Sequence, residues 1–439
     1  MAGSSFRYFG GVIQSSNPST DFLLTKKDGE FLRVIASISV VVAHCIHFWV
    51  EDFYVDRDFL SLSYFATILD QFTRFTVPLF FFLSGFGLTL QFQGKPLPLL
   101  KYYRFRLTKI MAPFLLWSLF TGFRHQEFLE TMPWTQDPLS AAKTVLRFLF
   151  LDGFDYQYYF VIVIFQFYLV YPLLYKLGKS KIWLGVFLLV HLAFMSPVET
   201  YLQLWGLELP KIHPNLLLFH WLYCFAGIHA AYNKDFLAKL LARWSNRKVA
   251  AFWIVTVLLL NFEFLMNVLN EKYLFDADHF NRWAVVLYCL ASLMVFMKAK
   301  RAVAARVYSN PRWQFLFTHV APFTFFVYLA HTHVLRVVDY LLWEVTLFDF
   351  LNRIILVVAG SYLLAWFCQW LLEDFPRMRF YLGLPGKPLI DWAEVPGVRL
   401  FKVRRQRADL IRNPRDAGSP NREMASGRRL DYSSERTSA

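Results

Sequence analysis

Long apolar stretches separated by short polar connections recur along most of this chain. Ten apolar cores stand out, at about residues 31–50, 69–91, 110–123, 157–175, 182–196, 214–232, 249–267, 283–297, 320–342 and 354–372. Such stretches are typical of helices that cross a lipid bilayer, where each backbone polar group must be satisfied within the segment. The pattern predicts an all-α fold: a polytopic membrane bundle of about ten transmembrane helices.

The polar connections alternate in charge from one side of the predicted bundle to the other. Four connections, at 92–109, 176–181, 233–248 and 298–319, together contain 18 lysines and arginines. The other five connections together contain eight. Because cytoplasmic loops carry an excess of Lys and Arg, the four basic connections are expected on the cytoplasmic side. Both chain termini are then expected in the cytoplasm as well.

The composition agrees with a membrane bundle and argues against a soluble globular protein. Of the 439 residues, 56% are hydrophobic, 19% are aromatic and only 18% are charged. The net charge of +14 follows the basic connections and the C-terminal region, so it indicates membrane topology rather than nucleic-acid binding. The four cysteines lie within apolar stretches without a paired motif, so neither a disulfide framework nor redox chemistry is expected.

The two ends of the chain differ in composition from the apolar region between them. Residues 1–30 are polar and are expected to form a cytoplasmic segment without a secretory signal peptide. Residues 31–380 form the predicted membrane domain. Residues 381–439 are expected to form a disordered, basic cytoplasmic tail that lies against anionic lipid heads, or a solvated tail without a function of its own.

The first apolar core contains two residues that are unusual inside a membrane, Arg33 and His44. Eleven helical steps of about 100° bring His44 within about 20° of Arg33, about 16 Å further along the same helix face. Ionisable groups within a membrane span usually face a cavity and carry function. Arg33 can alternatively anchor the helix at lipid phosphates. His44 can act as a general base or accept an acyl group. Alternatively, His44 has only a structural role, or His47 is the base in its place.

The second apolar core contains a polar cluster near its start and a pair of small residues in its middle. Arg74 can pair with Asp70, one turn earlier, or bind a substrate. Ser84 and Gly85 in mid-helix predict close helix packing or a kink. The motif GxSxG is absent from the sequence, so Ser84 is not expected to be a hydrolase nucleophile.

A basic segment interleaved with aromatic residues, Lys101–Lys109, follows the second core. Its arginines are Arg104 and Arg106. The segment can be an ordinary basic belt at the membrane surface. It can also cradle the phosphates and adenine of a cytosolic donor that carries a nucleotide, because arginine binds phosphate through two parallel hydrogen bonds.

The ninth apolar core contains His331, His333 and Arg336. Side chains two residues apart on a helix diverge by about 200°, so only one of the two histidines can face the bundle interior. Arg336 lies deep enough to need a partner or water. Facing histidines such as His44 and His331 can also ligate a b-type haem, which leaves haem binding open as an alternative.

With these residues in order, the chain resembles the acyltransferase-3 family of integral membrane acyltransferases. The family's first-helix signature of arginine, ten residues and histidine matches Arg33–His44. Five further family phrases match in the same order, at Phe80–Phe86, Lys101–Pro113, Gln166–Leu173, Tyr328–His331 and Glu373–Arg377. The resemblance covers about residues 31–380, nearly the whole apolar region.

The resemblance implies transfer of an acyl group, most often acetyl, from cytosolic acyl-CoA to a hydroxyl group of a sugar. The run from Arg74 through Pro78 and three phenylalanines resembles the branch that O-acetylates cell-surface polysaccharides, so the expected acceptor is a surface or lipid-linked glycan. Many members have two acidic residues where this chain has Ile164 and Phe165, which leaves the substrate subclass open. Acyl-CoA is expected as a co-substrate, and the protein is expected in a bacterial inner membrane. A permanently bound cofactor, a metal and a nucleic-acid partner are not expected.

Within this resemblance, His44 and Arg33 are the expected catalytic residues. Arg33 is expected to orient the donor's phosphate or polarise its thioester carbonyl, and His44 to deprotonate the sugar hydroxyl or carry the acyl group. Substrate binding is expected from four further side chains, those of Arg74, Ser84, His331 and Arg336. Donor binding is expected from Arg104 and Arg106.

A transporter or flippase of a lipid-linked glycan is the alternative function. Arg33, His44, Arg74 and Arg336 would then be substrate-binding residues within the membrane. Many transporters are built from inverted repeats, and this sequence shows no internal repeat of fixed period. The ordered motifs favour the enzyme over the transporter.

Overall fold

A computed structural model describes residues 25–124, 137–193, 213–270, 282–303, 319–342 and 347–385, and the single positions 310, 311 and 313. Every regular element within these residues is a helix, which confirms the all-α prediction. The predicted N-terminal segment before residue 25 and the predicted tail from residue 386 onward lie outside the described residues.

Short connections link the helices along the described ranges. The helices are α1 (Lys26–Asp56), α2 (Leu62–Thr73), α3 (Thr76–Phe92), α4 (Leu99–Arg124), α5 (Pro138–Arg147), α6 (Tyr159–Leu177), α7 (Lys181–Ala193), α8 (Trp221–Tyr232), α9 (Lys234–Ala242), α10 (Asn246–Leu269), α11 (Trp283–Val303), α12 (Thr324–Leu341), α13 (Leu347–Leu371) and α14 (Pro376–Leu382). A π-helical turn, Phe148–Asp152, continues α5, and a 3-10 turn, Tyr156–Tyr158, leads into α6.

Among the described residues, five helical stretches are long and apolar enough to cross a membrane: Asp28–Asp56, Leu62–Phe92, Tyr156–Leu177, Asn246–Leu269 and Asp349–Leu371. Each of the predicted apolar cores contains a helix. Helix α8, however, has only 12 residues, about 18 Å of helix, which is shorter than the hydrocarbon core of a bilayer. The count of ten spans therefore stays a prediction.

Helix α1 is the element around which the candidate residues are arranged. It begins with a capping box, in which Thr25 and Asp28 bond each other's backbone amides, and it ends at Arg57 in the left-handed conformation. Its 31 residues give a length of about 46 Å. Helices α2, α3, α12 and α13 pack against it, so several sides of α1 are covered by protein rather than lipid.

The second predicted core is not one helix but two, α2 and α3, which meet at Arg74 and Phe75. Pro78 lies in the first turn of α3, where its missing N–H costs no helical hydrogen bond. A helix can therefore start at this proline more easily than it can continue through it. Asp70 accepts a hydrogen bond from Arg74 Nε at 3.0 Å, which confirms the predicted pair and fixes Arg74 at the junction.

Helices α3 and α8 approach so closely that their backbones touch. A Cβ at Gly85 would collide with the carbonyl oxygen of Cys224, and a Cβ at Gly227 would collide with that of Phe82. Glycine at both positions permits this approach, which confirms the packing role predicted for Gly85. Around this contact, α1, α3 and α8 share a buried apolar core of Leu32, Ala36, Leu79, Leu83, Phe86 and Ala231.

Candidate active site

The side chain of His44 lies between two other rings in the interior. Its ring centroid is 4.7 Å from that of Tyr156 and 5.2 Å from that of His331, on which it is stacked at an interplanar angle of 26°. Tyr156 lies just before α6 and His331 belongs to α12, so three separate elements meet at this point. We call His44 and His331 the histidine pair.

Hydrogen bonds fix the tautomer of His331. Its Nδ1 donates to the carbonyl oxygens of Tyr328 at 2.8 Å and Val327 at 3.1 Å, so Nε2 of the neutral ring carries the lone pair. The His331 side chain is fully buried, and Nε2 has no hydrogen-bond partner among the described residues.

His44 is the accessible member of the pair. Its side chain is only partly buried, and its ring nitrogens have no hydrogen-bond partner in the part of the chain that the structure describes. An imidazole in this state can accept a proton or a hydrogen bond from a bound molecule. The chemistry expected of His44 is therefore compatible with its surroundings.

His47 has a different environment from His44, although it lies on the same helix. Its ring nitrogen is 3.4 Å from a carboxylate oxygen of Glu51, one turn further along α1, and both side chains are about half exposed. Within the described ranges, the structure brings His44 rather than His47 to His331. This arrangement favours His44 as the reactive group.

The positive charge of Arg74 lies within electrostatic range of His44 in the histidine pair. Its guanidinium lies near enough to His44 and Tyr159 for its charge to act on both rings. The carboxylate of Asp70 is almost completely buried and accepts two hydrogen bonds from Arg74, which hold the guanidinium in place. A fixed cation here can stabilise negative charge that develops on a substrate oxygen.

Arg336 has a protein partner, the buried carboxylate of Asp155. Arg336 Nη2 is 3.4 Å from Oδ1 of Asp155, and Arg124 Nη2 is 3.6 Å from its Oδ2. Asp155 also accepts hydrogen bonds from the Thr332 hydroxyl at 3.3 Å and from the backbone N–H of Tyr156 at 3.1 Å. Burial raises the pKa of Asp155, against the opposing effect of these hydrogen bonds and of Arg124. The cluster ties the segment that carries Tyr156 to α4 and α12.

A second group of residues lies nearer the start of α1, where the side chains of Arg33, Arg106 and Lys109 come close enough for their charges to interact. We call these three residues the basic cluster. Arg33 and Lys109 have exposed side chains, and Tyr168 of α6 lies beside both arginines. Like charges in one place repel one another unless an anion lies between them. The cluster therefore has the charge and the access of an anion-binding site.

Ser84 belongs with the basic cluster rather than with the histidine pair. Its hydroxyl donates to the carbonyl oxygen of Phe80 at 2.8 Å and lies within hydrogen-bonding range of the Tyr168 hydroxyl. The structure thus divides the predicted substrate-binding residues between two places.

Arg104 lies two positions before Arg106, and His333 lies two positions after His331. The side chains of Arg104 and His333 point away from the site. Arg104 has an exposed side chain and lies about 200° from Arg106 around α4, so the structure does not bring it to the basic cluster. His333 stacks on Trp117 of α4 at 5.3 Å, whereas His331 stacks on His44. Only His331 faces α1, in agreement with the predicted divergence of the two histidines.

The histidine pair does not have the geometry of a haem site. Two axial histidines direct one nitrogen each at the iron from opposite sides, whereas His44 and His331 lie face to face. In the described ranges, no group of three or more His, Cys, Asp or Glu side chains is arranged to hold a metal ion.

Three members of the site are not marked by the sequence pattern: Asp155, Tyr156 and Tyr168. A carboxylate directly before an apolar stretch was the available signal for Asp155, and it also marks Tyr156 as its neighbour. Tyr168 gave no comparable signal, because aromatic residues are frequent throughout this chain.

A family model described as an acyltransferase domain, that of the acyltransferase-3 family, matches residues 29–370. The matched range contains both the histidine pair and the basic cluster. Comparisons with curated proteins and with solved structures found no match. The family match covers most of the chain and agrees with the ordered phrases and the apolar helices, so this chain belongs to the acyltransferase-3 family and is an integral membrane acyltransferase.

Proposed function

We propose that the protein is an O-acyltransferase that moves an acetyl group from cytosolic acetyl-CoA to a hydroxyl group of a surface or lipid-linked glycan. One observation carries the proposal. His44, whose ring stacks on His331 and whose nitrogens have no partner among the described residues, lies on the same helix as Arg33 of the basic cluster, about 16 Å from it along the axis.

The basic cluster suits the nucleotide end of the donor. Coenzyme A carries its phosphates at one end and its thioester at the other end of an extended pantetheine arm. Arg33 and Arg106 offer guanidinium groups, which bind phosphate oxygens through paired hydrogen bonds. The spacing of Arg33 and His44 is of the order of the arm's length, so a donor held at the cluster can present its thioester to His44.

The histidine pair suits the transfer step. In one route His44 takes the proton of the acceptor hydroxyl while the hydroxyl oxygen bonds to the acyl carbon. The carbon–sulfur bond then breaks, and the thiolate of coenzyme A leaves and is protonated by the imidazolium. In the other route an imidazole nitrogen of His44 first bonds to the acyl carbon, the carbon–sulfur bond breaks, and the departing thiolate takes the proton of the other ring nitrogen. The hydroxyl oxygen then bonds to the acyl carbon as the carbon–nitrogen bond breaks, and the released imidazole takes the hydroxyl proton. Arg74 can stabilise the oxyanion in either route.

The acceptor is expected to enter from the opposite end of the bundle. Tyr156 and Arg336 have accessible side chains there, and both belong to the segment and helix that cover the histidine pair. These groups are the proposed acceptor-binding residues.

Labelled acetyl-CoA tests the proposal. Purified protein in lipid nanodiscs should bind acetyl-CoA in a calorimeter. Membranes that contain the protein should transfer the acetyl label to the glycan fraction, and mild alkali should release it because an ester has formed. Protein that neither binds nor consumes acetyl-CoA would contradict the proposal and would favour the transporter.

A further inference from the structure

Two glycines of α3 have different surroundings. Gly85 packs against the backbone of α8. A Cβ at Gly87, in contrast, would meet a single neighbouring group within 4 Å, the Nη2 of Arg33 at 3.4 Å. Gly87 does not have a positive φ. Neither helix packing nor backbone conformation therefore requires a glycine at this position.

Gly87 belongs to an accessible face of an otherwise buried helix. Ser84, Gly87 and Gln91 follow one another at spacings of three and four residues, so they share one face. All three keep accessible surface, whereas four of the five intervening residues, Gly85, Phe86, Leu88 and Thr89, are buried. The face is lined by small or polar groups.

This face points toward other helices rather than toward lipid. Ser84 lies at Tyr168 of α6, and Gly87 lies at Arg33 of α1. Gln91 accepts a hydrogen bond from Arg106 of α4. The accessible surface of this face is therefore bordered by side chains of three neighbouring helices, and it runs along α3 from the basic cluster.

We propose that Gly87 is a specificity-determining residue, which sets the width of a passage beside Arg33 for the slender, amide-containing arm of an acyl thioester. The inference rests on the proposed function, because it assumes that the phosphates of the donor bind at the basic cluster. The hydroxyls of Ser84 and Tyr168 can then bond to the amides of the arm as it runs toward His44.

Substitutions of graded size at Gly87 test the inference. The Cβ of Gly87→Ala fits at an ordinary contact distance, so its effect on acetyl-CoA binding should be small. Gly87→Val and Gly87→Leu should narrow the passage progressively, and Leu should weaken acetyl-CoA binding about tenfold or more. Adenosine 3′,5′-bisphosphate, which has the phosphates but not the arm, should bind every variant within about twofold of the wild type.

Gly185→Leu is the matched control. Gly185 lies on α7, and a Cβ there meets nothing within 4 Å, so this variant should bind both probes like the wild type. Retained binding of adenosine 3′,5′-bisphosphate also shows that a Gly87 variant is folded. If Gly87→Leu fails to fold, acetyl-CoA binding by Gly87→Val tests whether Gly87 sets the width of the passage.

The outcomes separate this inference from the proposed function. If the wild-type protein binds neither probe, the proposed function fails. If the wild type binds both probes and Gly87→Leu binds acetyl-CoA as tightly, Gly87 does not set the width of a passage. Equal loss of both probes in Gly87→Val and Gly87→Leu would also overturn the inference, because it would show that the side chain acts only on Arg33.

Discussion

Arg33 and His44 lie on one helix, but their surroundings fit them for different tasks. Arg33 is exposed near Arg106 and Lys109, with the carboxylate of Glu30 also within range of its charge, and the excess of positive charge suits it to bind an anion. His44 lies between the rings of Tyr156 and His331, and its nitrogens have no hydrogen-bond partner in the described part of the chain, which suits it to exchange a proton or carry an acyl group. The separation of phosphate binding from transfer follows from these two environments.

Arg106 and Arg104 give a matched pair for the test of donor binding. Arg106 lies in the basic cluster, whereas Arg104 is exposed on the opposite face of α4. Arg106→Ala should weaken acetyl-CoA binding about tenfold or more, because a charge-assisted hydrogen bond is worth about 1.5–3 kcal/mol. Arg104→Ala should have a clearly smaller effect in the same calorimetric titration. The reverse order would place the donor phosphates on the other face of α4.

At the scale of single residues, the sequence pattern indicated the rare charged groups within the apolar helices but not the residues that pair with them. Arg33, His44, Arg74 and His331 stand out because ionisable residues are costly in apolar helices. Asp155 does not stand out, because its role depends on a contact with Arg336 across 181 positions of the chain. The divergence of Arg104 from Arg106 was available from the helical repeat alone.

At the scale of secondary-structure elements, the contact between α3 and α8 depends on two glycines. Gly85→Ala would push a Cβ into the carbonyl group of Cys224, which belongs to rigid helix backbone. Overpacking of this kind typically costs about 1–3 kcal/mol. We expect a lower melting temperature for Gly85→Ala in detergent, measured by thermal unfolding. Gly185→Ala on α7 should melt like the wild type, and equal melting of the two variants would show that the helices can move apart at little cost.

The segment before α6 is a second element whose position matters for the site. Asp155→Asn removes the charge that Arg336 and Arg124 share, so Tyr156 should be held less firmly against His44. We expect the transfer rate to fall about tenfold, with acetyl-CoA binding within about twofold of the wild type, because the basic cluster lies elsewhere.

Asp152 provides the control for that substitution. It pairs with Arg147 and His213 at 2.8 Å each, and its side chain is more exposed than that of Asp155. Asp152→Asn should therefore leave the transfer rate nearly unchanged. A fall of the same size in both variants would show that loss of any carboxylate near this segment has the same effect.

Apolar runs located the helices well, since burial in lipid imposes the same requirement on every spanning segment. They did not reveal the break between α2 and α3, because the apolar run at 69–91 continues from the end of α2 into α3. Pro78 marked the start of α3, but without the structure this signal could not be told apart from a kink within one helix. The short length of α8 was not apparent from the sequence for a similar reason, since the residues before this helix are also apolar.

At the scale of the whole molecule, the charge asymmetry of the connections predicts the orientation in the membrane. Reporter fusions at Gly94 and at the C-terminus should report the cytoplasm, and a fusion at Gly153 should report the opposite side. A cytoplasmic signal at Gly153 would contradict the expected path of the donor and the acceptor toward His44 from opposite ends.

The central claim is that His44 performs the transfer while a separate cluster binds the donor. The most direct test measures acetyl-CoA binding by calorimetry and acetyl transfer to glycan in membranes, for His44→Ala and His47→Ala. His44→Ala should bind acetyl-CoA like the wild type but transfer about 10²–10⁴-fold more slowly, because a positioned base has been lost. His47→Ala should keep both properties. Transfer at the wild-type rate by His44→Ala, with or without loss in His47→Ala, would contradict the account.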